Sequence, residues 1–125
     1  MEKQKDFYQV VEEICEQDPR YKADSYEFVL QALTFTQKKF RKEGHVSGKE
    51  LLEGIREFAL QQYGPMVKAV LDHWGITQTS DFGNIVFNMI EKQLLAKTQD
   101  DSCRDFKDVY DFREAFKHTI KDLKI

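Results

Sequence analysis

Three histidines, two cysteines and a "DFG" triplet are the residues of this 125-residue chain whose types could do chemistry. Imidazole titrates near neutral pH and can move a proton or ligate a metal. His45 precedes Val46-Ser47, His73 follows Asp72 and neighbours Trp74, and His118 falls in the last helical segment. Only a fold that gathers His45, His73 and Asp72 would make a site of them; at helix ends, such histidines instead satisfy nearby carbonyls. Cys15 and Cys103 have no CxxC or Cys/His spacing around them, which reads as two reduced thiols. Cys15 lies on an apolar stripe, where cysteine behaves as a small hydrophobe. Asp81-Phe82-Gly83 lacks the glycine-rich loop, strand lysine and HRD loop that give the kinase triplet its magnesium role. A phosphate-cradling glycine loop, a GxSxG elbow and an HExxH helix are also missing. The residues therefore assign no catalytic, cofactor-binding or metal site, and a non-enzymatic protein is expected.

Net charge is -3 with both signs in every third of the chain, whereas a duplex-DNA binder carries a basic face to neutralise phosphates. The one basic cluster is Lys38, Lys39, Arg41 and Lys42, interrupted by Phe40. It reads either as a solvated helix end that complements the helix dipole or as a local phosphate contact, for example with structured RNA. Ten phenylalanines supply a core, and a chain of this length buries roughly two thirds of its unfolded surface without a disulfide or metal. No window nears the roughly 18 apolar residues of a membrane span, and no apolar run follows the charged start. A soluble, cytoplasmic protein with no membrane contact is expected.

The elements that must position these residues are helical. Phe7, Val10, Val11, Ile14 and Cys15 form one stripe that ends at Asp18-Pro19, since the residue before proline leaves the α region. Residues 23–44 put Tyr26, Val29, Leu30, Leu33 and Phe40 on a second face, closed by Gly44. Ser47 and Glu50 form a capping box with Val46 as staple, opening a helix with Leu51, Leu52, Ile55, Phe58 and Ala59 inward. Gly64-Pro65 ends it, and Pro65 opens a short helix burying Val67, Val70, Leu71 and Trp74. A long helix from about Ser80 to Leu94 follows, with Phe82, Ile85, Val86, Met89, Ile90 and Leu94 as its core. Residues 95–112 read as a β-hairpin with Phe106, Tyr110 and Phe112 on the return arm, with an irregular arm packed by its aromatics as the alternative. Residues 112–124 read as a last helix burying Phe112, Phe116, Ile120 and Leu123.

This order predicts a mainly α, single domain over 1–125. It comprises an N-terminal helical pair (1–43), a winged helix-turn-helix-like core of three helices and a hairpin (46–112), and a C-terminal helix (112–124). A plain helical bundle with an irregular loop would give much the same pattern. In a winged helix the long helix faces the partner, so the candidate contacts are Asp81, Asn84, Asn88 and Lys92, beside Glu91. Asp81 and the expected wing tip, Asp100-Asp101, repel phosphate, which points to a protein or ribonucleoprotein partner. The nucleic-acid alternative rests on Lys38, Lys39, Arg41 and Lys42, with Lys92 or Lys97 in support.

The words "HVSGKELLEGI", "YGPMVKAVLDHWGI", "DFGNIVFNMIE" and "KTQDDSCRDFKDVYDFREAF" occur in that order from Tyr21 to Phe116. In them the chain resembles a family of small bacterial proteins to which no activity is assigned. The resemblance implies a bacterial, cytoplasmic protein built as one integral domain. Cys103 in "DDSCRDF" is a local variation within those words.

Overall fold

Helices begin where the sequence supplies caps. In the computed structural model, which describes residues 5–96 and 103–117, Asp6 accepts from the Gln9 amide and Gln9 accepts in return from the Asp6 amide. This box opens α1, Phe7–Gln17. Ser47 and Glu50 exchange the same pair of bonds at the start of α3, Gly48–Tyr63, as their spacing predicts. Between them runs α2, Ala23–Lys39. The turn Gly64–Met66 carries Pro65 into α4, Val67–Trp74, and α5 covers Thr79–Glu91.

Helix ends differ more from expectation, for one repeated reason. The 23–44 helix stops at Lys39 because Arg41 turns left-handed at φ 55°. The amides of Arg41 and Lys42 then donate back to the carbonyls of Lys38 and Gln37, a Schellman closure. The long helix stops at Glu91 in the same way, with Gln93 at φ 64° and the Gln93 and Leu94 amides donating to Ile90 and Met89. At α4 the left-handed residue is Gly75, φ 89°, and a Cβ there would also lie 2.2 Å from the Arg20 carbonyl oxygen. Because an L side chain pays for this conformation and glycine does not, Gln93→Gly is expected to raise stability by about 0.5–1 kcal/mol. A higher denaturant midpoint would show it; an unchanged or lower one would mean that the Gln93 side chain compensates.

α2 is the central helix, packed most extensively on α3 and also on α1, α4 and α5. Phe28, which the stripe reading of this helix omits, is buried and stacks near Phe58, Tyr63 and Trp74, with ring centroids 5.3–6.0 Å away. Thr36 is buried too; its hydroxyl donates to the Ala32 carbonyl, and the residue lies directly over Gly54 of α3. Val11, Ile14, Leu52, Ile55, Ala59, Leu71, Trp74, Phe82, Ile85 and Met89 complete the centre of the core as their periodicities predict. Ile90 and Leu94 are only half-buried, since α5 has ended or is ending there.

The hairpin is corrected. Among the described residues there is no strand, and the return arm is a 3-10 turn, Cys103–Phe106, followed by a bend with Asp108 at φ 51° and the short α6, Phe112–Ala115. The mainly helical, single-domain expectation holds, but the winged-helix reading loses its wing. The physical reason is that the arm's rings all enter one core through a coiled backbone. Phe106 lies against both Gly48 and Gly83, where an added Cβ would meet it at 3.1 and 2.8 Å. The Tyr110 hydroxyl donates to the Leu52 carbonyl, and Phe112 packs on Phe82 and Phe116. The buried Thr79 hydroxyl oxygen accepts the Val109 amide. Asp100, Asp101, His118, Ile120 and Leu123, and the rest of the expected last helix, lie outside the described residues.

Candidate functional site

Where α2, α3 and α5 diverge below the Phe106 arm they leave a cleft of about 290 Å³. Its walls are built helix by helix. Val29 and Leu33 come from successive turns of α2, Leu51 from the second turn of α3, and Val86, Phe87 and Ile90 from one face of α5. Leu95 and Phe106 close one side. Polar groups gather at a single end, where Gln37 in the last turn of α2 meets Gly44, His45 and Ser47 in the α2–α3 connection. The Gln37 amide nitrogen donates to the Gly44 carbonyl, which fixes this lip. An apolar concavity with polar groups at one edge suits an apolar group of a ligand or partner better than it suits water, which would find few hydrogen-bond partners inside.

The candidate contacts on α5 are placed differently. Asp81 accepts the Tyr21 hydroxyl at 2.6 Å and the amides of Thr77 and Gln78. Asn84 donates to the Tyr21 oxygen, while Asn88 donates to Asp18 at 2.9 Å and to the Tyr26 oxygen at 3.0 Å. These three side chains form a half-buried polar seam that fastens α5 to the α1–α2 connection, so their hydrogen-bonding groups are engaged within the domain. Lys92, also half-buried, sits one turn on beside Asp18, Asn88 and Glu91. Burial and the bond to Asp81 push the Tyr21 hydroxyl up to about 12.

Arg20, bonded to Asp18 at 2.7 Å, holds the Asp18 carboxyl well below the usual carboxylate range, with help from Asn88. A depressed folded value contributes stability that is complete above the unfolded value near 4 and is lost as pH falls below it. Asp18→Asn is therefore expected to flatten part of the acid limb of stability between about pH 4 and pH 2. Denaturant midpoints across that range would check it; an acid limb identical to that of the parent protein would contradict the assignment.

The chain matches no protein-family model, no curated protein and no solved structure.

The basic cluster is partly neutralised in the fold. Lys39 pairs with Glu57 at 2.6 Å and Lys42 with Glu50 at 2.8 Å, both acids belonging to α3, while Lys38 and Arg41 stay exposed. His45 is not brought together with His73 and Asp72. Trp74 packs on Tyr63 at the far end of α3, which puts neighbouring His73 there, whereas His45 precedes the start of α3; sixteen helical residues, about 24 Å, separate the two ends. Among the described residues, no group of three or more His, Cys, Asp or Glu is placed to hold a metal ion, and no helix is long and apolar enough to cross a membrane. Of the cleft's lining, sequence reading finds Val29, Leu33, Leu51, Val86 and Ile90 but assigns them to the core, and it does not single out Gln37 or Phe87. Their only distinguishing signal is the polar lip "GHVS" set between two apolar stripes.

Proposed function

We propose that this chain is a small non-enzymatic interaction protein, a cytoplasmic adaptor that engages a protein or ribonucleoprotein partner through the α2–α3–α5 cleft. The observation that supports it is the cleft itself, an open apolar concavity with its polar groups confined to one lip. An apolar side chain from the partner would be desolvated there, the arrangement that concentrates binding energy in an interface. The polar face of α5 is a weaker candidate because Asp81, Asn84 and Asn88 already spend their hydrogen bonds on Tyr21, Asp18 and Tyr26. Likeness in sequence words to the small bacterial family adds a bacterial origin to the proposal.

The test is capture of partners by the tagged protein and by Leu33→Trp, which fills the cleft from α2, after circular dichroism has shown both to be folded. The expected outcome is a specific protein, resistant to nuclease, that the parent retains and Leu33→Trp loses. A second reading draws on exposed Lys38 and Arg41. Retention that vanishes with nuclease and with charge reversal at these two positions, but ignores Leu33→Trp, would put an RNA contact in place of the cleft.

A further inference from the structure

We infer that two copies of this chain pair antiparallel along the outward face of α2, with Asp24 and Glu27 of each copy meeting Arg41 and Lys38 of the other. This pairing uses none of the cleft's residues. It is written in the order of charge along one stripe. Asp24, Glu27, Gln31, Thr34 and Lys38 fall within an arc of roughly 80° on α2, and Arg41 follows at the next step of the same spacing, in the turn that closes the helix. Glu27 is half-buried and the other five are exposed. Steps of three, four, three, four and three residues are those of a seam along which two helices pack. About its midpoint, between Gln31 and Thr34, the stripe reverses sign, with the acids before it and the cations after it. A parallel neighbour would set like charge on like. A twofold neighbour running the other way sets Asp24 against Arg41, Glu27 against Lys38 and Gln31 against Thr34, and each match occurs twice.

The fold leaves these charges uncommitted. Lys39 and Lys42 are paired with Glu57 and Glu50 of α3, whereas Asp24, Lys38 and Arg41 form no ion pair among the described residues. Glu27 receives only the Tyr8 hydroxyl, at 3.4 Å. Tyr8 is 64% exposed, so its ring lies open beside the acid that Lys38 of the other copy reaches, and adds an aromatic face for that cation. The helix dipole also favours acids first and cations last, but it acts within the end turns; Glu27 is in the second turn of α2. Val29, Leu33 and Gln37 lie on the other side of α2, so the pair leaves both clefts open. A contact one helix wide, closed by exposed ion pairs, is weak, with a dissociation constant on the order of 0.1–1 mM.

The experiment is sedimentation equilibrium of the full chain up to about 1 mM, in about 20 mM and about 500 mM sodium chloride. A monomer–dimer equilibrium is expected, about tenfold weaker at the higher salt. Asp24→Lys with Glu27→Lys, or Lys38→Glu with Arg41→Glu, gives the stripe a single sign and is expected to leave monomers at every concentration. All four substitutions in one chain return the net charge to -3 and make every match opposite again, so this variant is expected to recover the parent's dissociation constant within about threefold. If circular dichroism shows the fourfold variant unfolded, an equimolar mixture of the two half-reversed chains makes the same test, since all their matches are opposite. A parent that stays monomeric at low salt, half-reversed chains that still pair, or a fourfold variant or mixture no tighter than they are would overturn the pairing. Growth beyond two copies would overturn its twofold geometry.

Discussion

Gly54→Ala is expected to be the most damaging single methyl addition in the protein. A Cβ at this position would fall 1.7 Å from the Thr36 hydroxyl oxygen and 2.7 Å from its Cβ. Thr36 cannot swing away, because it is fully buried and its hydroxyl is bonded to the Ala32 carbonyl. The two longest helices would have to separate along the most extensive helix contact of the fold, at a cost of about 3 kcal/mol. Exchanging the roles of the two positions is the control. Thr36→Gly in the Gly54→Ala background removes the clash and should recover most of the loss, less about 1 kcal/mol for a glycine inside α2. Denaturant unfolding of the two singles and the double gives the coupling. A Gly54→Ala protein as stable as its parent would mean that α2 and α3 are not held at this distance.

Phe106→Ala is expected to cost about 3–5 kcal/mol, the range for removing a buried aromatic ring. Phe106 is only 4% exposed although it belongs to a short turn, and it sits against Gly48 of α3 and Gly83 of α5. Its loss should release the segment that follows. The readout is hydrogen exchange at the Val109 amide, which donates to Thr79 and should exchange much faster in the variant while amides of α2 and α3 slow or hold relative to it. A cost below about 1 kcal/mol would show that the arm is not anchored by this ring. Because Phe106 also lines the cleft, the same substitution should enlarge it.

The helix starts were legible because caps are local: Ser47 and Glu50 lie three residues apart and their bonds need nothing else. Helix ends were less so, since Schellman closures at Arg41 and Gln93 use residues that do not advertise a left-handed conformation. The return arm misled for a related reason. Phe106, Tyr110 and Phe112 have the parity of one strand face, but parity cannot tell a strand from a coil whose rings reach the same core; the two glycines that receive Phe106 lie 58 and 23 positions before it in sequence. Polar residues on α5 have the spacing of an outward face, and nothing local to them reveals that Tyr21 and Asp18 are waiting opposite. The cleft was illegible for a geometric reason. Periodicity shows which side chains turn inward from α2, α3 and α5, and says nothing of whether three inward faces meet.

The cleft is therefore the feature to test first, and methyl chemical shifts under xenon pressure test it most directly, because xenon enters apolar cavities without needing a head group. Saturable shifts concentrated on Val29, Leu33, Leu51, Val86, Ile90 and Leu95, and absent in Leu33→Trp, are the predicted result. Shifts that grow linearly and spread over the whole surface, with no preference for these methyl groups, would contradict an open apolar site between α2, α3 and α5.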